Sequence, residues 1–246
     1  MTAIAPPTAP GAPSPVRSRD NAWTDLVLTL PILLLYHVGV VFLPVRNAAD
    51  WVTARLIDLS EKSLFYYFLL TATVGAVVVV LFLMIGQKRA LRWQRFAMIA
   101  AEGVVYAVAM RLVAGYVVGQ LRLSAASGAL QPGLFTGLVM SMGAGFYEEL
   151  VFRVGVFALV GQLVSLAVIS TPAPWKKGLF WLGWALVSSC MFSGWHHVGD
   201  LAEPFSLEAF VFRAVSGMVF TLIFTLRGFA TVVWTHTLYD IWVMVL

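Results

Sequence analysis

Seven stretches of this chain are apolar over roughly the length a helix needs to cross a bilayer, and that pattern decides most of what the chain can become. A spanning helix takes about 20 residues. The runs are about Thr24–Val45, Leu64–Ile85, Phe96–Val118, Gly133–Ile169, Gly178–His197, Leu207–Leu226 and Gly228–Leu246. None shows the period-2 alternation of a barrel strand, so helices are the expected spanning elements. Of the 246 residues, 60% are hydrophobic and 11% charged. That leaves too little polar surface for a water-soluble globule and too little charge for a disordered chain. The net charge of +4 sits mostly between the runs, where it sets membrane orientation and gives no reason to expect nucleic acid. The lone Cys190 excludes an internal disulfide. Residues 1–22, rich in Pro, Ala and Ser, read as a disordered cytoplasmic tail ahead of one membrane domain, 23–246. Asn47–Ser63 mixes charged and apolar residues and reads as a surface-lying segment.

Orientation follows from Lys88, Arg89, Arg92 and Arg95, which mark the link between the second and third runs as cytoplasmic. Counting back two spans places the N-terminal tail, with Arg17 and Arg19, on the same side. The run Gly133–Ile169 is too long for one span and tight for two. One crossing makes Lys176 and Lys177 cytoplasmic and the acidic stretch Asp200–Glu208 external, which the basic residues favour. Two crossings bring Glu148 and His196 to one depth near the cytoplasmic face and give eight spans. The expected fold is an all-α polytopic bundle of seven to eight transmembrane helices with its active site in the C-terminal half. The count of eight is preferred because the chemistry wants those residues together.

Charges inside a bilayer are costly, so each needs a partner or a function. The motif-bearing core, about 133–246, holds Glu148, Glu149 and Arg153 in one run, His196 and His197 in a second, and His236 and Asp240 in a third. Glu149 and Arg153, four apart, share a helical face, and Glu148 lies about 100° further round, free to face a cavity. A desolvated carboxylate beside histidines can serve as a general base on water. Glu102 and Arg111 are expected to pair with other helices, and Gly115 and Gly119 form a small-residue face suited to helix packing.

Three ordered elements carry a family resemblance: Glu148-Glu149-Leu150-Val151-Phe152-Arg153, Phe192-Ser193-Gly194-Trp195-His196 and His236-Thr237-Leu238-Tyr239-Asp240. They resemble the E-E-x-x-x-R, F-x-x-x-H and H-x-x-x-N/D pattern of CPBP intramembrane proteases, the group of CAAX prenyl endopeptidases and bacteriocin-processing or immunity proteins. The resemblance implies peptide hydrolysis within the bilayer. Glu148 with His196 would activate water, His236 and Asp240 would stabilise the oxyanion, and Glu149 with Arg153 would support them. An ionised Asp at position 240 cannot donate as Asn would. It must therefore be protonated, or orient His236. No H-E-x-x-H is present. A metal-free mechanism without cofactor is favoured; zinc, if used, would take Glu148, His196 and His236. The expected substrate is a membrane-associated peptide or protein, cut in C-terminal processing, sorting or leader removal, in a multi-pass protein of a bacterial inner membrane. The competing readings are a proton-coupled transporter and a non-catalytic immunity or scaffold protein.

Overall fold

The computed structural model describes residues 19–86, 93–120, 133–169, 173–199 and 202–246. Among these there is no β-strand, and eight helices form the molecule. They are α1 (Arg19–Gly39), α2 (Trp51–Leu59), α3 (Leu64–Gly86) and α4 (Trp93–Gln120). The C-terminal half contributes α5 (Leu134–Val168), α6 (Pro174–Trp195), α7 (Leu207–Arg227) and α8 (Phe229–Met244). The chain is an all-α membrane bundle. By length and apolarity, α4, α5 and α7 each suffice to cross a bilayer. Most of the expected tail lies outside the described residues, and α1 begins at Arg19, inside the stretch read as tail.

The run Gly133–Ile169 does not fold back on itself. Leu134–Val168 is one continuous helix, so reading it as two crossings is corrected. A hairpin explains what the second crossing was invoked for. Glu148 stands 20 residues before the end of α5, and His196 follows 22 residues after the start of α6. Antiparallel helices with the same rise per residue bring the two side chains to one level.

The middle of α5, Ala144–Glu148 and Leu150–Val160, is wound as π-helix, a rare form frequently found at functional sites. Helix α8 lies against α1, α4, α5 and α7. Its inner residues Ala230, Val232 and Val233 are fully buried, and Met110, Phe220 and Ile223 close over Val232. Large side chains such as Leu112, Leu163, Leu166 and Leu182 point outward, where acyl chains replace water.

Small residues set two close approaches. A Cβ on Gly145 would collide with the Thr237 hydroxyl and sit 2.9 Å from the Thr237 backbone nitrogen, so only glycine lets α5 and α8 meet there. Gly228, at φ 89°, joins α7 directly to α8 in a left-handed conformation that suits a residue without Cβ. Gly115 and Gly119, by contrast, have no neighbour among the described residues, and the packing role expected of them is corrected there. A G-x-x-x-G spacing says that two glycines share a face, not that a neighbour covers it. Glu102 and Arg111 do reach other helices: Glu102 pairs with Arg227 of α7, and the Arg111 guanidinium lies 4.8 Å from the Trp242 ring.

Candidate active site

All six residues singled out by the motifs converge at one end of the α5–α8 bundle. Three helices supply them, in directions fixed by their spacing. From α5, Glu149 and Arg153 turn to one face and form an ion pair of 3.0 Å, both essentially fully buried. The Arg153 guanidinium is 4.4 Å from the Phe192 ring and 5.2 Å from that of Phe220, and it donates to the Gly217 carbonyl at 3.4 Å. A buried cation is thus held by a carboxylate, two aromatic faces and a backbone oxygen.

The second oxygen of Glu149 lies 2.7 Å from His236 Nδ1. With Nδ1–H donating to that carboxylate, Nε2 faces the cavity, 4.0 Å from Glu148 Oε2 and 3.5 Å from Asp240 Oδ2. The sequence leaves Asp240, one turn along α8, either protonated or orienting His236 through its far nitrogen. The structure gives that nitrogen to Glu149, and Asp240 stands on the cavity side of the ring. The His236 ring also stacks on Phe220, with centroids 4.6 Å apart.

His196 closes the site from the end of α6. Its Nδ1 is 3.0 Å from the Phe192 carbonyl, one turn back, so that nitrogen carries the proton. Its Nε2 then offers a lone pair, 3.7 Å from Glu148 Oε2. At that separation the two acceptors are spaced for a bridging water that donates one O–H to each. Phe192, in the same motif, packs edge-on against both His196 and His236.

One contact was not anticipated. Asn47, in the loop between α1 and α2, donates from Nδ2 to Glu148 Oε1 at 2.7 Å and is buried. Its orientation is fixed, because Asn47 Oδ1 accepts from the Ala49 N–H at 2.8 Å. Behind it, Tyr36 donates to Asp50 Oδ2 at 2.7 Å, and Asp50 caps α2 by accepting from Thr53 N at 2.9 Å. His37 meets the Tyr147 hydroxyl at 2.7 Å, next to Glu148 in sequence. The segment read as lying on the membrane surface therefore carries a buried polar network that reaches the site. An Asn two residues before an N–H it can accept from is an ordinary turn signal, and nothing in the sequence couples it to position 148.

The cavity holds about 520 Å³. Met140, Phe192, Trp195, Phe212 and Phe220 give it apolar walls, and Arg46, Glu203, Glu208 and Arg213 lie around its polar part. The three side chains that zinc would require do not form a cradle for it. Ligands about 2.0–2.1 Å from a tetrahedral zinc lie about 3.3 Å apart, closer than both separations from Glu148 Oε2, while Oε1 is engaged by Asn47. Among the described residues no three His, Cys, Asp or Glu side chains are grouped to hold a metal.

No curated protein and no solved structure matches the chain. A family model does, that of type II CAAX prenyl endopeptidase Rce1-like proteins, over residues 130–242. The matched segment contains every motif residue of the cavity and ends two residues past Asp240, whereas Asn47 lies far outside it. The segment that builds this site, 130–242, is therefore an Rce1-like domain of the CPBP type.

Proposed function

We propose that this protein is an intramembrane endopeptidase that hydrolyses a peptide bond of a membrane-associated substrate with a glutamate-activated water. The observation that carries the reading is the meeting of Glu148 Oε2 with His196 Nε2 and His236 Nε2 at 3.7 and 4.0 Å on the wall of one apolar cavity. The Rce1-like domain supports a CAAX-type protease. Water bound between Glu148 and His196 gives its proton to Glu148 as its oxygen bonds to the scissile carbonyl carbon. The carbonyl oxygen becomes an oxyanion, met by an N–H from doubly protonated His236, whose other N–H is taken by Glu149. Asp240, as a neutral acid, supplies the second donor. Proximity favours this assignment: Asp240 shares the wall with Glu148 and Glu149, and a third negative charge buried beside them would be costly. Collapse of the tetrahedral intermediate breaks the C–N bond, and Glu148 returns its proton to the leaving amine.

A transporter needs a polar route through the bundle. Below His236, the buried α8 side chains are Thr235, Val233, Val232, Thr231 and Ala230, and both threonine hydroxyls donate back to carbonyls one turn earlier, before the Glu102–Arg227 pair at the opposite end. That arrangement favours the protease. Comparing the membrane proteomes of cells carrying the wild-type chain and Glu148→Gln tests the reading: precursors accumulate in the variant. Identical proteomes would refute it. The purified protein in detergent is expected to keep its activity after exhaustive chelation, and zinc-dependent recovery of lost activity would overturn the metal-free assignment.

A further inference from the structure

We infer that the cavity opens on the non-cytoplasmic face of the membrane and takes the membrane-anchoring segment of an exported polypeptide, delivered from that side. The inference deepens the protease reading and rests on it. It comes from combining the distribution of basic residues with the end of the bundle at which the cavity lies.

Five chain segments meet at the cavity: the loop after α1, the first half of α5, the end of α6, the start of α7 and the end of α8. All lie at one end of the bundle, because the helices alternate in direction. Most of the basic residues outside the helix interiors belong to the other end. Lys177 and His196 are 19 residues apart on α6, about 28 Å at about 1.5 Å per residue, which is close to the full thickness of a hydrocarbon core. Arg227 and Glu208 are separated by the same 19 residues on α7, with the acidic one at the cavity end.

The Glu102–Arg227 pair ties the start of α4 to the far end of α7. Arg95 opens α4, and Lys88, Arg89 and Arg92 precede it directly in the sequence. Lys176 and Lys177 open α6 at that same end. This concentration of Lys and Arg in short links marks the cytoplasmic side. The links on the cavity side carry fewer, Arg46, Arg55, Lys62 and Arg122, and Arg213 at the start of α7 is paired with Glu203. The single passage of α5 is what makes the two patterns agree, since folding it into two spans would have turned the cavity to the cytoplasm.

The wall chemistry fits the substrate. Apolar side chains of Met140, Phe192, Trp195 and Phe212 accept a hydrophobic peptide segment, and the mixed charges of Arg46, Glu203, Glu208 and Arg213 suit the polar residues flanking it. A protein prenylated in the cytoplasm would meet the wrong face of this molecule.

Single cysteines introduced into the full chain, Asp58→Cys at the cavity end and Lys177→Cys at the other, each in a Cys190→Ser background, test the orientation. Both native side chains are exposed. In intact bacterial cells a membrane-impermeant maleimide is expected to label the first variant, and the second only after permeabilisation. The reverse order would overturn the inference. In the proteome comparison, precursors that accumulate with Glu148→Gln should carry export signals. Precursors confined to the cytoplasmic face would remove the substrate class while leaving the protease reading intact. No difference between the two proteomes would remove both, whatever the labelling order.

Discussion

Asn47 holds one carboxylate oxygen of Glu148 and leaves the other to the histidines, so the side chain that the motifs identify is oriented by one they do not. A swap of chemistry at nearly constant shape isolates that contact. Asn47→Asp keeps the acceptor for the Ala49 N–H but sets a second carboxylate against Glu148. It should lower kcat on the order of 10²-fold, the cost of a misplaced reacting group, with KM little changed. Adding Glu148→Gln supplies a new amide that can donate to the introduced carboxylate, so the double variant should regain the thermal midpoint lost by Asn47→Asp and remain inactive. Additive losses of thermal stability would show that the two side chains are not coupled. At the other end of the site, Asp240→Asn keeps a donor beside His236 Nε2 and should stay active. Asp240→Ala should lose about 10²–10³-fold, the effect of removing an oxyanion donor. A cleavage assay at matched expression checks both, and full activity of Asp240→Ala would take this residue out of the mechanism. The six motif residues stand out in the sequence because each is an ionisable group in an apolar run, where such groups are rare. Which nitrogen of His236 faces which carboxylate does not, because it depends on how α5 and α8 cross.

At the scale of helices, that crossing is set by Gly145, three residues before Glu148, against Thr237, the residue after His236. The contact therefore controls the distance between the two halves of the site. Gly145→Val should force α5 and α8 apart, destabilising the protein by about 1–3 kcal/mol and abolishing processing. Gly115→Val, with no neighbour among the described residues, should change neither, and a thermal-shift measurement with a processing assay separates the two. Apolar run lengths located α1, α3, α4 and α6 to α8 well, since each of these helices is a continuous apolar stretch. They did not resolve Leu134–Val168, whose π-helical middle and single passage leave no mark in hydropathy. Nor did they show that Trp51–Leu59 is a capped helix tied to α1 through Tyr36 and Asp50.

Across the whole molecule, the family match and the working unit differ in extent. Residues 130–242 contain all the motif residues, yet their helices are completed by the N-terminal half. Leu28 accepts a hydrogen bond from Trp234 Nε1 at 2.9 Å, His37 meets Tyr147, Met110 covers Val232, and Asn47 orients Glu148. Without α1 and α4, α8 would lose the neighbours on two of its sides, and the inner face of a site helix would turn to lipid. A chain covering 130–246 should therefore reach the membrane and fail to process substrate. The same piece co-expressed with 1–120 should recover processing, because helices that pack by shape and a few polar contacts can associate after separate insertion. Adding Asn47→Asp to the 1–120 piece should cancel the recovery without preventing co-purification of the two pieces. Processing by 130–246 alone would show that the N-terminal helices are dispensable. Recovery that tolerates Asn47→Asp would show that they serve only as packing.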